Sequence, residues 1–220
     1  MDLADYAKRE SKFQEAKQFF HIVVTIQPYA YQGWLEYAKM EEECGNSVES
    51  RDILLKGLKF NPYSENLFIK AVKCEERLGN FTKIREMIKK VQNDKDVSSE
   101  KTWRILLEGA LFEGRIGNRD QAREQFKFLL TKCRNFGPVY LEASKYEERE
   151  CQIEKAVEIC DRGLEFNVKY SPLWFQYLRL YEKSDDRLRS KYFDKLSFII
   201  QDMFKHISKE FHWKVAIEAA

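Results

Sequence analysis

The 220 residues contain 38 Lys and Arg against 36 Asp and Glu, a formal net charge of +2, so the chain has no overall electrostatic footprint for nucleic acid or anionic membrane. Apolar residues at 44% beside charged residues at 34% exclude a disordered chain and suit helices with one buried and one solvated face. Only 9 Gly and 4 Pro are present, which leaves few tight turns and points to an all-α class. Cys44, Cys74, Cys133, Cys151 and Cys160 are odd in number and lack a CxxC pair, so they read as reduced, buried thiols rather than a disulfide framework or zinc site. The N-terminus has no apolar signal core, and the longest apolar run, Ile22 to Ile26, is broken by Thr25 and falls far short of the ~20 residues of a membrane span. The expectation is a soluble intracellular protein without a membrane partner.

Taken in order, residues 1–28 read as half a repeat, with a helix from Ser11 to Pro28 and its partner missing. Residues 29–62 read as a complete helical hairpin. Trp34, Tyr37 and Glu41 share one face at i, i+3 and i+7, Gly45-Asn46 stops the helix, and a second helix returns through Ser47 to Pro62. Four further hairpins are expected over 63–100, 101–136, 137–170 and 171–208, with a final helix starting in 209–220.

The periodicity carries this division. A mostly small position recurs at Ala16, Ser50, Ile84, Ala122, Ala156 and Ser190, with separations of 34, 34, 38, 34 and 34. A large one recurs with the same spacing at Trp34, Phe68, Leu106, Tyr140 and Trp174, and WxxY returns intact as Trp174 and Tyr177. Small residues allow close approach of a partner helix, and large ones fill the hole between helices. Gly45-Asn46, Gly79-Asn80 and Gly117-Asn118 punctuate the hairpins, while Gln27-Pro28, Asn61-Pro62, Gly137-Pro138 and Ser171-Pro172 separate them. The four extra residues fall between Gln92 and Glu100, in the longest loop. Neither end carries the polar cap of a closed solenoid, so the segment belongs to a longer array or its ends are covered by a partner or a dimer mate. The apolar helix of Leu196, Phe198, Ile199, Ile200, Met203 and Phe204 is read as covered by the segment around Trp213.

A second pattern selects a family. Glu41 precedes Arg51 by ten residues, as Glu75 precedes Arg85 and Glu113 precedes Arg123, which places an acid on the first helix and an arginine on the second helix of three hairpins. The small Ser50, Gly57 and Pro62 fit either a tetratricopeptide or a half-a-tetratricopeptide (HAT) repeat, and W-x2-Y-x3-E with this arginine resembles the HAT repeat. The glycine that a tetratricopeptide repeat carries four residues after its tryptophan is Ala38 here. Glu147 faces Val157 instead of arginine, and Tyr181 stands in place of the acid with Lys191 opposite. The resemblance implies a right-handed alpha-alpha superhelix, a solenoid of about five hairpins. It further implies a non-catalytic scaffold for the other proteins of a multi-subunit RNA-processing complex, nuclear or alternatively organellar or cytoplasmic, and open to homodimerisation. Each acid is expected to form a bidentate pair with the arginine of its own hairpin, fixing the rotation of the two helices.

No constellation for catalysis is visible. His21, His206 and His212 stand in separate segments without metal-ligand spacing, and neither GxxxxGK[ST] nor GxGxxG occurs, so no metal or cofactor is expected. Lys56, Lys59 and Phe60, or Lys127, Phe128, Lys132 and Arg134, suit the alternative of direct single-stranded RNA binding, but acids are interspersed along the same helices. A general adaptor or cochaperone with a carboxylate clamp needs basic first-helix positions, whereas Glu36, Glu108 and Glu142 stand there.

Overall fold

In the computed structural model, residues 2–94, 98, 101–183 and 199–218 are described. All regular structure among them is helical: α1 (Asp2–Arg9), α2 (Phe13–Ile26), α3 (Tyr31–Glu43), α4 (Ser47–Phe60), α5 (Glu65–Arg77) and α6 (Phe81–Gln92). There follow α7 (Trp103–Arg115), α8 (Arg119–Lys132), α9 (Gly137–Arg149), α10 (Ile153–Phe166) and α11 (Ser171–Lys183). Residues 199–206 form α12, and a 3-10 turn (Lys209–Phe211) leads into α13 (His212–Glu218). The chain divides into two compact units, residues 1–109 and 110–220. In the first, α1 packs on α2, α3 on α4 and α5 on α6, while α3 also meets α2 and α5 meets α4. In the second, α9 packs on both α8 and α10, and α11 on α10. The first helices α3, α5 and α9 therefore each lie between their own second helix and that of the hairpin before.

The reversal between paired helices follows one rule. Ser11, Gly45, Gly79, Gly117 and Cys151 have φ of 59°, 84°, 76°, 79° and 57°, and they are spaced by 34, 34, 38 and 34 residues. At each, the left-handed residue donates its N–H three back and the next residue donates five back: Gly45 to Glu42 O at 3.0 Å and Asn46 to Glu41 O at 2.8 Å are the pattern. Lys12 to Ala7, Asn80 to Glu75, Asn118 to Glu113 and Gln152 to Glu147 repeat the longer bond. This double bond satisfies carbonyls that the helix end would leave open.

Residues 1–28 hold more than the expected lone second helix. The last two turns of a first helix are present as α1, with Ala4 and Ala7 buried against α2, and Ala7 occupies the register of Glu41. An alanine signals no helix boundary or ion pair, which is why this helix is hard to see in the sequence. The cysteine expectation is corrected in part: Cys74, Cys133 and Cys160 are buried, but Cys44 and Cys151 are exposed because they sit in turns. Burial pushes the Cys160 thiol up to about 12.

The repeated large and small positions meet in the core. Trp34, Phe68, Leu106, Tyr140 and Trp174 are all buried, as are Ala16, Ser50, Ile84, Ala122 and Ala156; Ser190 lies outside the described residues. A Cβ on Gly57 would stand 2.8 Å from the Trp34 ring, and one on Gly163 would stand 2.8 Å from Tyr140, so glycine here is a matter of room for the ring. The indole N–H of Trp34 donates to Pro28 O at 2.8 Å, and that of Trp174 to Val168 O at 2.7 Å. Asn61, just after α4, donates to the same Pro28 O at 2.9 Å, and Asn167 donates to Arg134 O at 2.9 Å in the equivalent loop. The loops between hairpins are thus tied to one another across one repeat. At the C-terminal end, Ile199 and Met203 of α12 are buried, while Leu196 and Phe198 lie outside the described residues. Val215 of α13 is buried and His212 meets Phe204 edge-on at 5.1 Å, but Trp213 points to solvent, so the segment covers α12 through other residues than its tryptophan.

Cys151 adopts a conformation that costs an L-residue about 1 kcal/mol or more and a glycine almost nothing. Cys151→Gly is expected to stabilise the protein by about 0.5–1 kcal/mol, net of the greater unfolded-state freedom of glycine, in a urea denaturation measured under reducing conditions. An equal loss would mean that the thiol itself is held in the turn.

Candidate interaction surface

The acid at the end of four of the first helices, α3, α5, α7 and α9, is the most demanding group in the fold. Glu41, Glu75, Glu113 and Glu147 expose only 1%, 2%, 1% and 6% of their surface, and a carboxylate so enclosed must be satisfied by donors. One donor comes from the turn: the Asn46 side chain gives 2.8 Å to Glu41 Oε2, Asn80 gives 2.6 Å to Glu75, and Asn118 gives 3.0 Å to Glu113. The Gly-Asn pair therefore makes both halves of the turn, glycine supplying the backbone and asparagine the bond to the acid.

For Glu41 and Glu147 the cation comes from the preceding hairpin, which corrects the pairing expected of Glu41 with Arg51 and of Glu113 with Arg123. Lys17 of α2 reaches Glu41 Oε1 at 2.7 Å, and this bond holds its ammonium above the usual lysine range. Arg123 of α8 holds Glu147 of α9 with both arms of its guanidinium, 2.8 Å to each oxygen, and is raised for the same reason. Both pairs span 24 residues. Arg51, expected to hold Glu41, instead makes bonds of 3.0 and 2.7 Å to its neighbour Asp52. Glu113 is likewise not the partner of Arg123, and Glu147, read as facing Val157, has an arginine after all. The physical reason lies in the rotation of the second helix. Its buried residues Ser50, Leu54 and Gly57 set the inner face, and the residue after Ser50 turns about 100° further, toward the next first helix. Arg85 is half-buried on α6, one period after Arg51.

A second set of ion pairs runs along the first helices. Glu42 binds Lys70 and Arg77 of α5, and Glu148 receives Gln176 at 2.6 Å and Lys183 at 2.5 Å from α11. Lys70 and Arg77 stand 28 and 35 residues after Glu42, as Gln176 and Lys183 do after Glu148. Burial pushes both carboxyls up, but the bonds from Lys70 and Arg77, and from Lys183 and Gln176, outweigh it and leave both below the usual carboxylate range. Nearby, Glu36 pairs with Lys39 at 3.6 Å and Glu142 with Lys145 at 2.9 Å. First helices thus present a mixed-charge surface, while Trp34, Tyr37, Tyr177 and Trp174 are turned into the core and Pro62 lies in the loop between hairpins. Among the described residues, no group of three or more His, Cys, Asp and Glu is placed to hold a metal ion, and no helix is long and apolar enough to cross a membrane.

With this geometry in view, the whole chain, residues 1–220, matches the family model described as PRP6, TPR-like domain. It is 40% identical over 220 residues to a TPR-containing protein of Dictyostelium discoideum, covering 100% of this chain and 16% of the length of that relative. A tetratricopeptide repeat protein from Parabacteroides merdae superposes with a TM-score of 0.50 at 15% identity, covering 99% of this chain and 82% of its own. PilF of Pseudomonas aeruginosa gives 0.52 at 14% identity over 93% of this chain and 88% of its own, and PilW, a type IV pilus biogenesis factor, gives 0.50 at 14% over 98% and 96%. These structures share the fold, an all-α array of helical hairpins.

Two substitutions separate the geometry from the sequence pattern. Arg123→Ala leaves the nearly enclosed Glu147 without two charged donors and is expected to cost about 1–3 kcal/mol, whereas Arg51→Ala, which loses an exposed Asp52 contact, is expected to cost less than about 1 kcal/mol, both by chemical denaturation. Equal losses would restore the pairing within one hairpin. Because the folded Glu148 carboxyl lies below its unfolded value, its contribution is present above the unfolded pKa and lost as pH falls through the folded one. The destabilisation caused by Glu148→Gln at pH 7 should therefore shrink steadily below about pH 4.5 in a thermal melt series.

Proposed function

The chain belongs to the PRP6 TPR-like domain family, and we propose that it is a non-catalytic scaffold that holds other proteins of a multi-subunit RNA-processing assembly against the solvent face of its first helices. One observation carries this reading: the aromatic and acidic motif residues are consumed by packing between hairpins, so what remains outward is a surface of alternating charge set by non-motif side chains such as Glu36, Lys39 and Lys73. A surface of both signs matches a protein of complementary pattern, whereas a phosphate backbone requires one sign throughout. The family match and the HAT resemblance of Trp34, Tyr37 and Glu41 support the RNA-processing setting and the nucleus as the place of work.

Capture of binding proteins from a nuclear extract by the intact chain tests this. The expected result is a set of proteins that persists after ribonuclease treatment and weakens at least tenfold with Lys39→Glu plus Lys73→Glu. Capture that vanishes with ribonuclease, together with single-stranded RNA binding that falls steeply with salt, would assign the surface to RNA instead.

A further inference from the structure

The solvent side of the second helices is as periodic as their buried side. The register of Ile22 in α2 holds Lys56, Lys90 and Arg162 in α4, α6 and α10, all exposed, and the half-buried Phe128 in α8. That of Ile26 holds Phe60, Lys132 and Phe166, again exposed. Most of these residues stand in hairpins whose predecessor is present, so the stacking of hairpins leaves both registers open. What sets α2 apart is chemistry. Where three of the other second helices carry Lys56, Lys90 and Arg162 it carries isoleucine, and from Gln18 to Leu35 there is no Asp, Glu, Lys or Arg in a chain that is 34% charged. Ile22 and Ile26, one turn apart on one face, are 51% and 72% exposed. Tyr29, 76% exposed, prolongs this ridge into the loop and meets Phe60 edge-on at 5.9 Å, and Phe60 in turn stacks on Trp34 at 5.9 Å. The Thr25 hydroxyl beside Ile26 donates to His21 O at 2.7 Å, so covering the ridge strands no donor there.

We propose that this ridge pairs antiparallel with the same ridge of a second copy of the chain, Ile22 of each copy lying against Ile26 of the other. A two-fold arrangement needs a single self-complementary patch, and here it sets aliphatic side chains on aliphatic ones in both halves. The registers that carry cations on other second helices are neutral on α2, so the centre of the pairing desolvates no charge. The ends of the ridge carry opposite signs: Glu15 stands exposed in the first turn of α2, seven residues before Ile22 and on its side of the helix, and Lys59 stands exposed beside Phe60 in the last turn of α4. An antiparallel copy lays each end toward its opposite, whereas a parallel copy would face Glu15 with Glu15. Ile22, Ile26, Tyr29 and Phe60 offer roughly 500 Å² in each copy, and two ridges together reach the ~1,000 Å² at which specific interfaces begin, the size of a weak dimer. The ridge belongs to second helices, apart from the charged first-helix surface to which the scaffold reading assigns other proteins.

Sedimentation equilibrium of the whole chain under reducing conditions tests the pairing. A monomer–dimer equilibrium with Kd on the order of 10 µM is expected. Ile22→Lys with Ile26→Lys places at these registers the residue that Lys56 and Lys132 already carry, so Tm should move by about 2 °C or less while Kd rises about tenfold or more. At low ionic strength Glu15→Lys should weaken the dimer about threefold, and adding Lys59→Glu should restore it. Raising the concentration through Kd should slow nitration of Tyr29 about fivefold and leave Tyr6, which is 62% exposed on α1, as reactive as before. A chain that stays monomeric at about 1 mM overturns the proposal, as does a dimer that survives the double lysine substitution or protects Tyr6 in place of Tyr29. Failure of the charge exchange to restore the dimer overturns the antiparallel arrangement.

Discussion

A buried carboxylate at the end of α3, α5, α7 and α9 governs how these hairpins assemble. Leaving water is costly for an ionised group, and the cost is met only when donors surround it. Glu41 draws one donor from the turn that follows it and one from the hairpin before it. A single side chain thereby couples three otherwise separate decisions: where the helix stops, how the chain reverses, and how one hairpin is rotated on its predecessor. Glu147 lacks the asparagine of the turn, with Gln152 in that place, and takes both arms of Arg123. The two solutions differ in chemistry and satisfy the same requirement.

Around this polar joint the apolar parts follow simple geometry. Large residues of the first helix rest on glycine or small residues of the second, as Trp34 rests on Gly57 and Tyr140 on Gly163. The left-handed turn residue and the next N–H close the five described hairpin turns in the same way, whether glycine, serine or cysteine occupies the position. An array whose repeats contact only their neighbours is stabilised locally, and its outward side chains are free to vary without loss of the fold. That freedom is what a scaffold of changing partners requires.

The period, the helical class and the hairpin turns at Gly45, Gly79 and Gly117 are legible in the residues, since glycine and asparagine announce a left-handed helix end. Ser11 and Cys151 adopt the same conformation without announcing it, because nothing in their chemistry prefers it. The Glu–Arg spacing of ten was legible too, but its meaning was not. Spacing along a chain reports which residues repeat, whereas the partner of a side chain depends on which way its helix is turned. The mixed-charge face of the first helices is hidden for a related reason: nothing local distinguishes Glu42 from any acid beside Glu41, and the approach of Lys70 and Arg77 from the next hairpin makes it a bridge.

The repeat, its length, its one insertion and the residues of its core can be read from the chain alone, because they depend on local preference and on the 3.6-residue rhythm of burial. It took the packed helices to show that Glu41 and Glu147 pair backward with Lys17 and Arg123, that Glu42 and Glu148 bridge to the next first helix of their kind, and that Cys44 and Cys151 face solvent. Those outcomes depend on distances between segments 24 to 35 residues apart, and such distances exist only once the helices are packed.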